Sequence, residues 1–326
     1  MTDSNSTTLD RYRRFAWITI AAVYFLILVG ATVRASGAGM GCPDWPTCFG
    51  RWIPPTSEAQ LPSNYQEIYA ELGYADTSFN VVKTWTEYAN RLVGVTIGFL
   101  ILLTAVFSWS CRNHDPWIFR ASVAAFVMVG FQGWLGAQVV SSNLQPGMIT
   151  LHMLMALAIV AALLFALAQA RRDIMATQSI RGIDPRFEKW LYTVLVLTII
   201  QVALGTQVRE MTDLISRAQG EELRSSWIEF MPWFFDVHRS FSAVVLLANL
   251  WLANLLIRSI GWRHSLSRFT LAMVAVIGLS VVSGATLGHL GMPALVQPTH
   301  LLAASLLFGL QFLIWMGYRH SRDAAG

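Results

Sequence analysis

The chain has 326 residues, of which 55% are hydrophobic and only 13% are charged. A soluble globular domain would leave too much apolar surface in water, so this composition excludes that class and indicates a protein embedded in membrane lipid. The formal net charge of +4 is explained by basic residues that flank membrane spans, and it requires no nucleic-acid partner.

Eight apolar segments are each long enough to cross the hydrocarbon core, which takes about 20 helical residues. Backbone groups in lipid have no water to bond, so each segment is expected to be helical. The predicted fold is an all-α integral membrane protein with eight transmembrane helices. The predicted spans are Phe15–Val33, Leu92–Ser110, Ala121–Val140, Ile149–Ala170, Trp190–Val208, Ser240–Ile257, Phe269–Gly288 and Leu301–Tyr318.

The distribution of Lys and Arg predicts the orientation. With the N-terminus in the cytoplasm, 15 of the 23 basic residues lie on the cytoplasmic side, as positive-inside topology requires. The C-terminus is then also cytoplasmic, and the short outer loops Ser141–Met148 and His289–Thr299 contain no Lys or Arg. The first span is too long for a cleaved signal peptide and no transit peptide is evident, so a bacterial plasma membrane is the expected location.

The first outer segment, Ala35–Tyr88, contains two of the three cysteines. Cys42 and Cys48 face an oxidising space, so a disulfide is predicted, with two free thiols or a transient redox pair as alternatives. A short helix is expected from Ser63 to Leu72 and is stopped by Gly73.

The chain also contains an internal repeat with an offset of 148 residues. Spans 1–4 and 5–8 then form two halves that point the same way, predicted as four-helix bundles at residues 1–175 and 176–326. At one position the halves differ, because Asn90 stands where the second half has His238. The matching pairs are Arg91 and Arg239, Gly130 and Gly278, Gly136 and Gly284, His152 and His300, and Ala156 and Ala304.

Asn90, His152, His238 and His300 are all expected within about one turn of an outer helix end. Two imidazoles on facing helices can bind one haem iron from opposite sides, which suits His238 and His300. The first half offers His152 and a poor iron ligand, Asn90, which suits a bound substrate better than simple electron storage. The alternative for each histidine is a hydrogen bond to a neighbouring helix. Three other histidines are expected to be solvated in cytoplasmic segments: His114, His264 and His320.

Four arginines lie close to these positions. Arg34 and Arg209 are expected to end spans 1 and 5 on the outside, and Arg91 and Arg239 directly follow Asn90 and His238. Arginine pairs with carboxylates in a bidentate way, so contacts with haem propionates are predicted. The alternative is that these side chains reach lipid phosphates.

Glu87 precedes Asn90 by three residues, which places both on one helix face. It has no acidic counterpart in the second half, where the matching residue is Phe235. A carboxylate there is predicted to act as a catalytic base or to stabilise positive charge on a substrate. The alternative is a capping box with Thr84 at a helix start.

Two segments, Arg34–Pro46 and Thr86–Arg91, together with His152, His238 and His300, resemble haem A synthase over nearly the whole chain. Members of that family convert haem O to haem A, the cofactor of terminal haem-copper oxidases, by oxidising one porphyrin methyl to a formyl group. The resemblance implies water as the oxygen source and partnership with a haem O synthase. The electron acceptor and homo-oligomerisation stay open.

The resemblance also assigns residues. It implies a haem b between His238 and His300, substrate haem O at His152, and Glu87 as the essential carboxylate. It implies a disulfide in the first outer loop. The family usually has His at position 90, so Asn90 leaves His152 as the sole protein ligand expected in the first half.

Two rival hypotheses are kept. A membrane b-type cytochrome that relays electrons without modifying haem would explain His238 and His300, but not Glu87 or Asn90. A transporter or haem exporter would suit the repeat, but transporter sites lie near the midplane, whereas these polar residues cluster at the outer edge.

Overall fold

The structure, a computed structural model, describes residues 2–142, 146–173 and 186–323. Within these ranges the chain is helical and forms no strand, and eight of its helices are long and apolar enough to cross a membrane. The predicted all-α membrane fold is therefore confirmed. The helices are α1 Thr2–Ala35, α2 Tyr65–Ile68, α3 Val81–Ser108, α4 Pro116–Ser141, α5 Pro146–Ala170, α6 Phe187–Gln219, α7 Phe234–Ile260, α8 Ser265–His289 and α9 Val296–Asp323.

Three helices extend by more than ten residues beyond the spans predicted from hydropathy: α1, which begins at Thr2 rather than Phe15, and α3 and α6. α3 begins at Val81 rather than Leu92, and the side chain of Asn80 caps it by accepting from the Lys83 N–H at 3.0 Å. α6 continues to Gln219 rather than ending at Val208. The added turns are polar on part of their surface, so a hydropathy window does not detect them although the backbone stays helical.

These extensions correct the expected depth of the candidate ligands. His238 and His300 lie four residues after the first residues of α7 and α9, about one turn in. Asn90 lies nine residues after the start of α3, so the prediction of one turn is wrong for it. Arg209 likewise lies within α6 rather than at its end.

The helices contact one another in two groups. α1, α3, α4 and α5 form one ring of contacts, and α6, α7, α8 and α9 form another. The groups also pack together through α1 with α9, α5 with α9, and α5 with α6. The predicted duplication and the domain bounds at residues 175 and 176 stay predictions, since these contacts show grouping but not common origin.

Small polar contacts supplement apolar packing within each group, as expected where lipid supplies little hydrophobic drive between helices. In the first group the Tyr12 and Ser122 hydroxyls are 2.8 Å apart. In the second, the side chain of Gln311 donates to Thr198 at 2.9 Å and to Asn249 at 2.8 Å.

The first outer segment folds around a disulfide between Cys42 and Cys48, which confirms the predicted pairing. Phe49 lies at the centre of an aromatic cluster with Tyr65, Tyr69, Tyr74 and Phe79.

The short helix predicted in this segment is divided into α2 and a 3₁₀ turn at Ala70–Leu72. Gly73 ends the turn with φ of 85°, a left-handed conformation that glycine adopts without strain.

Two of the three histidines predicted to be solvated behave differently. His320 is only 4% exposed, so that expectation is wrong. His264 is half-buried and its Nδ1 accepts from the Leu266 N–H at 3.1 Å, which caps α8. His114 is exposed, as predicted.

Candidate functional site

The candidate ligand positions each face a glycine on the preceding spanning helix; these positions are Asn90, His152, His238 and His300. A Cβ added at that glycine would lie within 4 Å of the facing side chain. The two contacts in the second half are the closest, and at 3.1 Å a methyl group would force the imidazole to move. The pairs and distances are Gly30 with Asn90 at 3.8 Å, Gly136 with His152 at 3.5 Å, and Gly205 with His238 and Gly284 with His300, both at 3.1 Å.

His238 and His300 face each other across the second group of helices. Their ring centroids are 6.4 Å apart and their planes are inclined by 78°. A metal–imidazole bond of about 2 Å on each side of one ion also leaves about 6 Å between ring centres. The spacing therefore fits a single metal held between the two rings, as in a six-coordinate haem.

The hydrogen bonds of the rings differ. Nδ1 of His300 lies 3.0 Å from the carbonyl oxygen of Ser280 and 3.0 Å from the hydroxyl of Ser283. The carbonyl can only accept, so this contact favours a proton on Nδ1 and a free lone pair on Nε2. Nδ1 of His152 and of His238 is buried and has no hydrogen-bond partner in the described part of the chain. All three rings are only half-buried, so part of each is available to a ligand.

Two glutamines that sequence reasoning missed hold the backbone beside these histidines. The side-chain amide of Gln132 donates to the carbonyl of His152 at 3.1 Å. Gln201 makes the same contact with His238, also at 3.1 Å. Gln132 matches Ser280 in the repeat. This position therefore contacts the histidine in both halves: the Gln132 side chain binds the His152 carbonyl, and the Ser280 carbonyl lies beside the His300 ring.

Glu87 is buried, with 4% of its surface exposed. Its Oε2 accepts from the Cys42 N–H at 2.8 Å, and its Oε1 accepts from Arg91 Nη2 at 2.5 Å and Nε at 3.2 Å. The capping-box alternative is wrong, because Asn80 caps α3 and the Thr84 hydroxyl donates instead to the Gly41 carbonyl at 2.9 Å.

Arg91 joins Glu87 to the disulfide loop, residues 42–48. Its Nη1 donates to the carbonyls of Asp44 and Thr47 at 2.7 and 2.8 Å, and its Nη2 lies 3.3 Å from the Cys42 carbonyl. Gly41 approaches α3 so closely that an added Cβ would lie 2.3 Å from the Lys83 carbonyl oxygen. The loop is therefore fastened directly over the candidate catalytic carboxylate.

The matching arginine in the second half has a different environment. Arg239 pairs with Asp236 at 3.1 Å, with side chains 62% and 65% exposed. Arg91 and Glu87 are 12% and 5% exposed. An ion pair accompanies both positions, but of these two pairs only the one in the first half is buried.

Arg34 and Arg209, predicted near haem propionates, share a partner that the sequence did not reveal. Asp213 accepts from Arg34 Nε at 2.7 Å and lies 2.7 Å from Arg209 Nη2. Arg209 also donates to the Arg34 carbonyl at 3.0 Å and to Gln297. One sequence signal was present, because each arginine follows by four residues a glycine that faces a candidate ligand position. Gly30, which faces Asn90, precedes Arg34, and Gly205, which faces His238, precedes Arg209.

The chain is similar in sequence to one protein family and to several heme A synthases. The model of a family described as cytochrome oxidase assembly protein matches residues 13–312. Heme A synthase of Geobacillus kaustophilus is 24% identical over 94% of this chain and 92% of that protein. Heme A synthase of Geobacillus thermodenitrificans is 23% identical over 95% and 93%. With heme A synthase of Shewanella oneidensis the match is 28% identical but spans only 52% of this chain and 49% of the relative.

Proposed function

The chain belongs to the cytochrome oxidase assembly protein family, and from this membership and the geometry of the two halves we propose that it is a haem A synthase. Its full-length relatives carry that name. The substrate is haem O, one methyl group of which is oxidised to the formyl group of haem A. A haem O synthase is the partner that supplies the substrate.

The first half holds the substrate. His152 is the protein ligand of the haem O iron. Asn90 faces the substrate from the opposite helix, but its amide is a poor ligand for iron. The buried Oδ1 of Asn90 has no hydrogen-bond partner among the described residues, so it is available to bind a water on the substrate side. The arrangement leaves one face of the substrate iron without a second imidazole.

Glu87 handles protons. Conversion of a methyl and one water to a formyl group releases four protons and four electrons, and the first two of each are released at the hydroxymethyl stage. Oε2 of Glu87, which accepts from the Cys42 N–H, accepts a proton from the attacking water. Arg91 compensates the negative charge from the Oε1 side and holds the carboxylate in a fixed orientation.

The second half holds the electron-transfer group. His238 and His300 would bind haem b, consistent with their 6.4 Å separation and the glycines behind both rings. When bound, a bis-imidazole haem carries single electrons at a potential set by its ligands and surroundings. The electrons leave to an acceptor that is not identified. We place both sites near the outer face of a bacterial plasma membrane, with both chain termini in the cytoplasm.

One observation carries the proposal. A buried carboxylate occurs in the half that lacks the second histidine, and the half with both histidines has Phe235 in its place. A membrane b-type cytochrome is the second candidate, favoured by the His238–His300 pair alone. Electron transfer alone does not require a buried carboxylate in one half, so the cytochrome does not explain Glu87.

The test is chromatography of haem extracted from cells that make haem O, with and without this protein. Haem A or its hydroxymethyl precursor is expected only with the protein. Glu87→Gln should abolish conversion while the spectrum of the second-half haem persists. Asp236→Asn, an exposed acid near the matching position, is the control and should retain conversion. Unmodified haem O with well-folded protein would instead support the cytochrome.

A further inference from the structure

A cavity lined by basic residues, here called the basic cavity, lies where the ends of α1 and α6 meet the start of α3. Its volume is about 290 Å³, near the lower limit of about 300 Å³ for small-molecule sites. Among the described residues that line it, one is acidic, Asp213, and five are cationic. The cationic residues are Arg34, Lys83, Arg209, Arg217 and Arg224.

The charge of the basic cavity is not balanced from within. Asp213 is already shared between Arg34 and Arg209. Lys83 and Arg217 are exposed and form no ion pair within the described part of the chain. Lys83 and Arg217 therefore face the same space as the cluster of Arg34, Asp213 and Arg209, which itself carries one net positive charge. The net field in the cavity is positive.

The wall of the basic cavity is held in place. Trp227 is 1% exposed, and its indole N–H donates to the Gly220 carbonyl at 3.2 Å. The Arg224 guanidinium lies 4.5 Å from the centre of that ring and donates to the Met292 carbonyl at 3.0 Å. A preformed wall lowers the ordering cost of binding.

We propose that the basic cavity binds a phosphate-bearing anion, either the headgroup phosphate of an anionic lipid or free phosphate. Guanidinium groups bind phosphate oxygens in a bidentate way, and lysine acts as a point charge. Basic pockets between membrane helices bind lipid headgroups by this chemistry. Lys83 and Arg217, the residues that the test changes, are not part of the proposed haem chemistry, because within the described part of the chain neither forms a hydrogen bond or ion pair with Glu87 or a candidate iron ligand.

The experiment uses the full chain purified in detergent. Native mass spectrometry measures the binding of phosphatidylglycerol, and inorganic phosphate is titrated as a competitor. The test variant is Lys83→Gln combined with Arg217→Gln. A second double variant, Lys83→Arg with Arg217→Lys, keeps both charges. Arg258→Gln is the control, since Arg258 is exposed in the last turn of α7 at the opposite end of the bundle.

The wild type, the charge-conserving variant and the Arg258→Gln control should each bind one phosphatidylglycerol, and the Gln double variant should bind about tenfold more weakly or worse. Displacement of lipid by inorganic phosphate would identify free phosphate as a ligand, and resistance to displacement would identify the headgroup. Equal binding by the Gln double variant and the wild type, or no binding of either probe, would overturn the proposal. So would loss of haem from that variant with unchanged probe binding, since the cavity would then hold propionates.

Discussion

The ring centroids of His238 and His300 lie 6.4 Å apart. Each ring packs against a glycine, Gly205 or Gly284, so closely that a Cβ added to that glycine would lie 3.1 Å from the ring's Cε1. The spacing is that of two ligands around one ion, and the lack of a side chain at Gly205 and Gly284 gives each ring the room that it occupies. The first half has no such pair.

Replacing one ring should therefore abolish haem b binding. In His300→Ala the remaining His238 is a single ligand, and the low-spin optical spectrum of a bis-imidazole haem should be lost. His152→Ala should keep that spectrum, because His152 belongs to the other half. A low-spin haem that persists in His300→Ala would contradict the assignment.

Adding a methyl group behind a ring should disturb the same site more mildly. In Gly284→Ala the new Cβ would lie 3.1 Å from His300 Cε1, so the imidazole must shift by a few tenths of an ångström. We expect lower haem occupancy and a shifted redox potential, measured by spectroscopic titration. Gly278→Ala is the control, since nothing lies within 4 Å of its added Cβ, and equal effects of both substitutions would be the contrary result.

Asn90→His should give the first half the pair of ligands that it lacks. Gly30 leaves space, because its added Cβ is 3.8 Å from Asn90 Oδ1. The variant should bind the substrate haem in a six-coordinate, low-spin form and turn it over more slowly, since no open iron position remains. Electron paramagnetic resonance of the purified protein would show a second low-spin haem signal. A single signal with unchanged turnover would mean that position 90 does not face the iron.

Sequence reasoning succeeded where apolar runs or cysteines carry the information. All eight membrane spans and the Cys42–Cys48 disulfide were predicted. It failed where a helix continues through charged residues, as in the first turns of α3, because hydropathy measures burial in lipid and not backbone hydrogen bonding.

Contacts between segments that are far apart in the sequence could not be predicted from the sequence. Asp213 lies 179 residues from Arg34, and no local pattern links them. The fastening of Arg91 to the carbonyls of the disulfide loop depends on how the loop folds back over α3. The candidate residues were therefore predicted individually, whereas the network that orients Glu87 required the structure.

Arg91→Lys should loosen the disulfide loop without removing charge. One ammonium cannot bind Glu87 and three loop carbonyls together, as the guanidinium fork does. Loss of a partner in a buried pair costs about 3–5 kcal/mol, and lysine should recover only part of this. Limited proteolysis of residues 36–80 should accelerate and conversion of haem O should fall at least about tenfold. Arg239→Lys, at the exposed matching pair, should leave that proteolysis unchanged.

The aromatic cluster of the first outer segment should open in alkali. Burial raises the pKa of the Tyr74 phenol, and the nearby Glu87 carboxylate raises it further. The fold thus favours the neutral phenol, so its contribution to stability is present below the unfolded pKa of about 10 and is lost as pH rises through the folded pKa. Phenolate absorbance should show delayed titration that coincides with protease sensitivity. Tyr74→Phe should reduce the delayed component without removing it, because burial also raises the pKa of Tyr65 and Tyr69. Titration of every tyrosine near pH 10 would be inconsistent with this.

The four glycine contacts carry a consequence for variation among relatives. Gly205 and Gly284 are required by the imidazoles that press against them, but Gly30 meets only an amide at 3.8 Å, a distance that tolerates a methyl group. Relatives with histidine at the position of Asn90 should keep glycine at the position of Gly30. Relatives with asparagine there should accept alanine or serine, so the two positions are expected to covary.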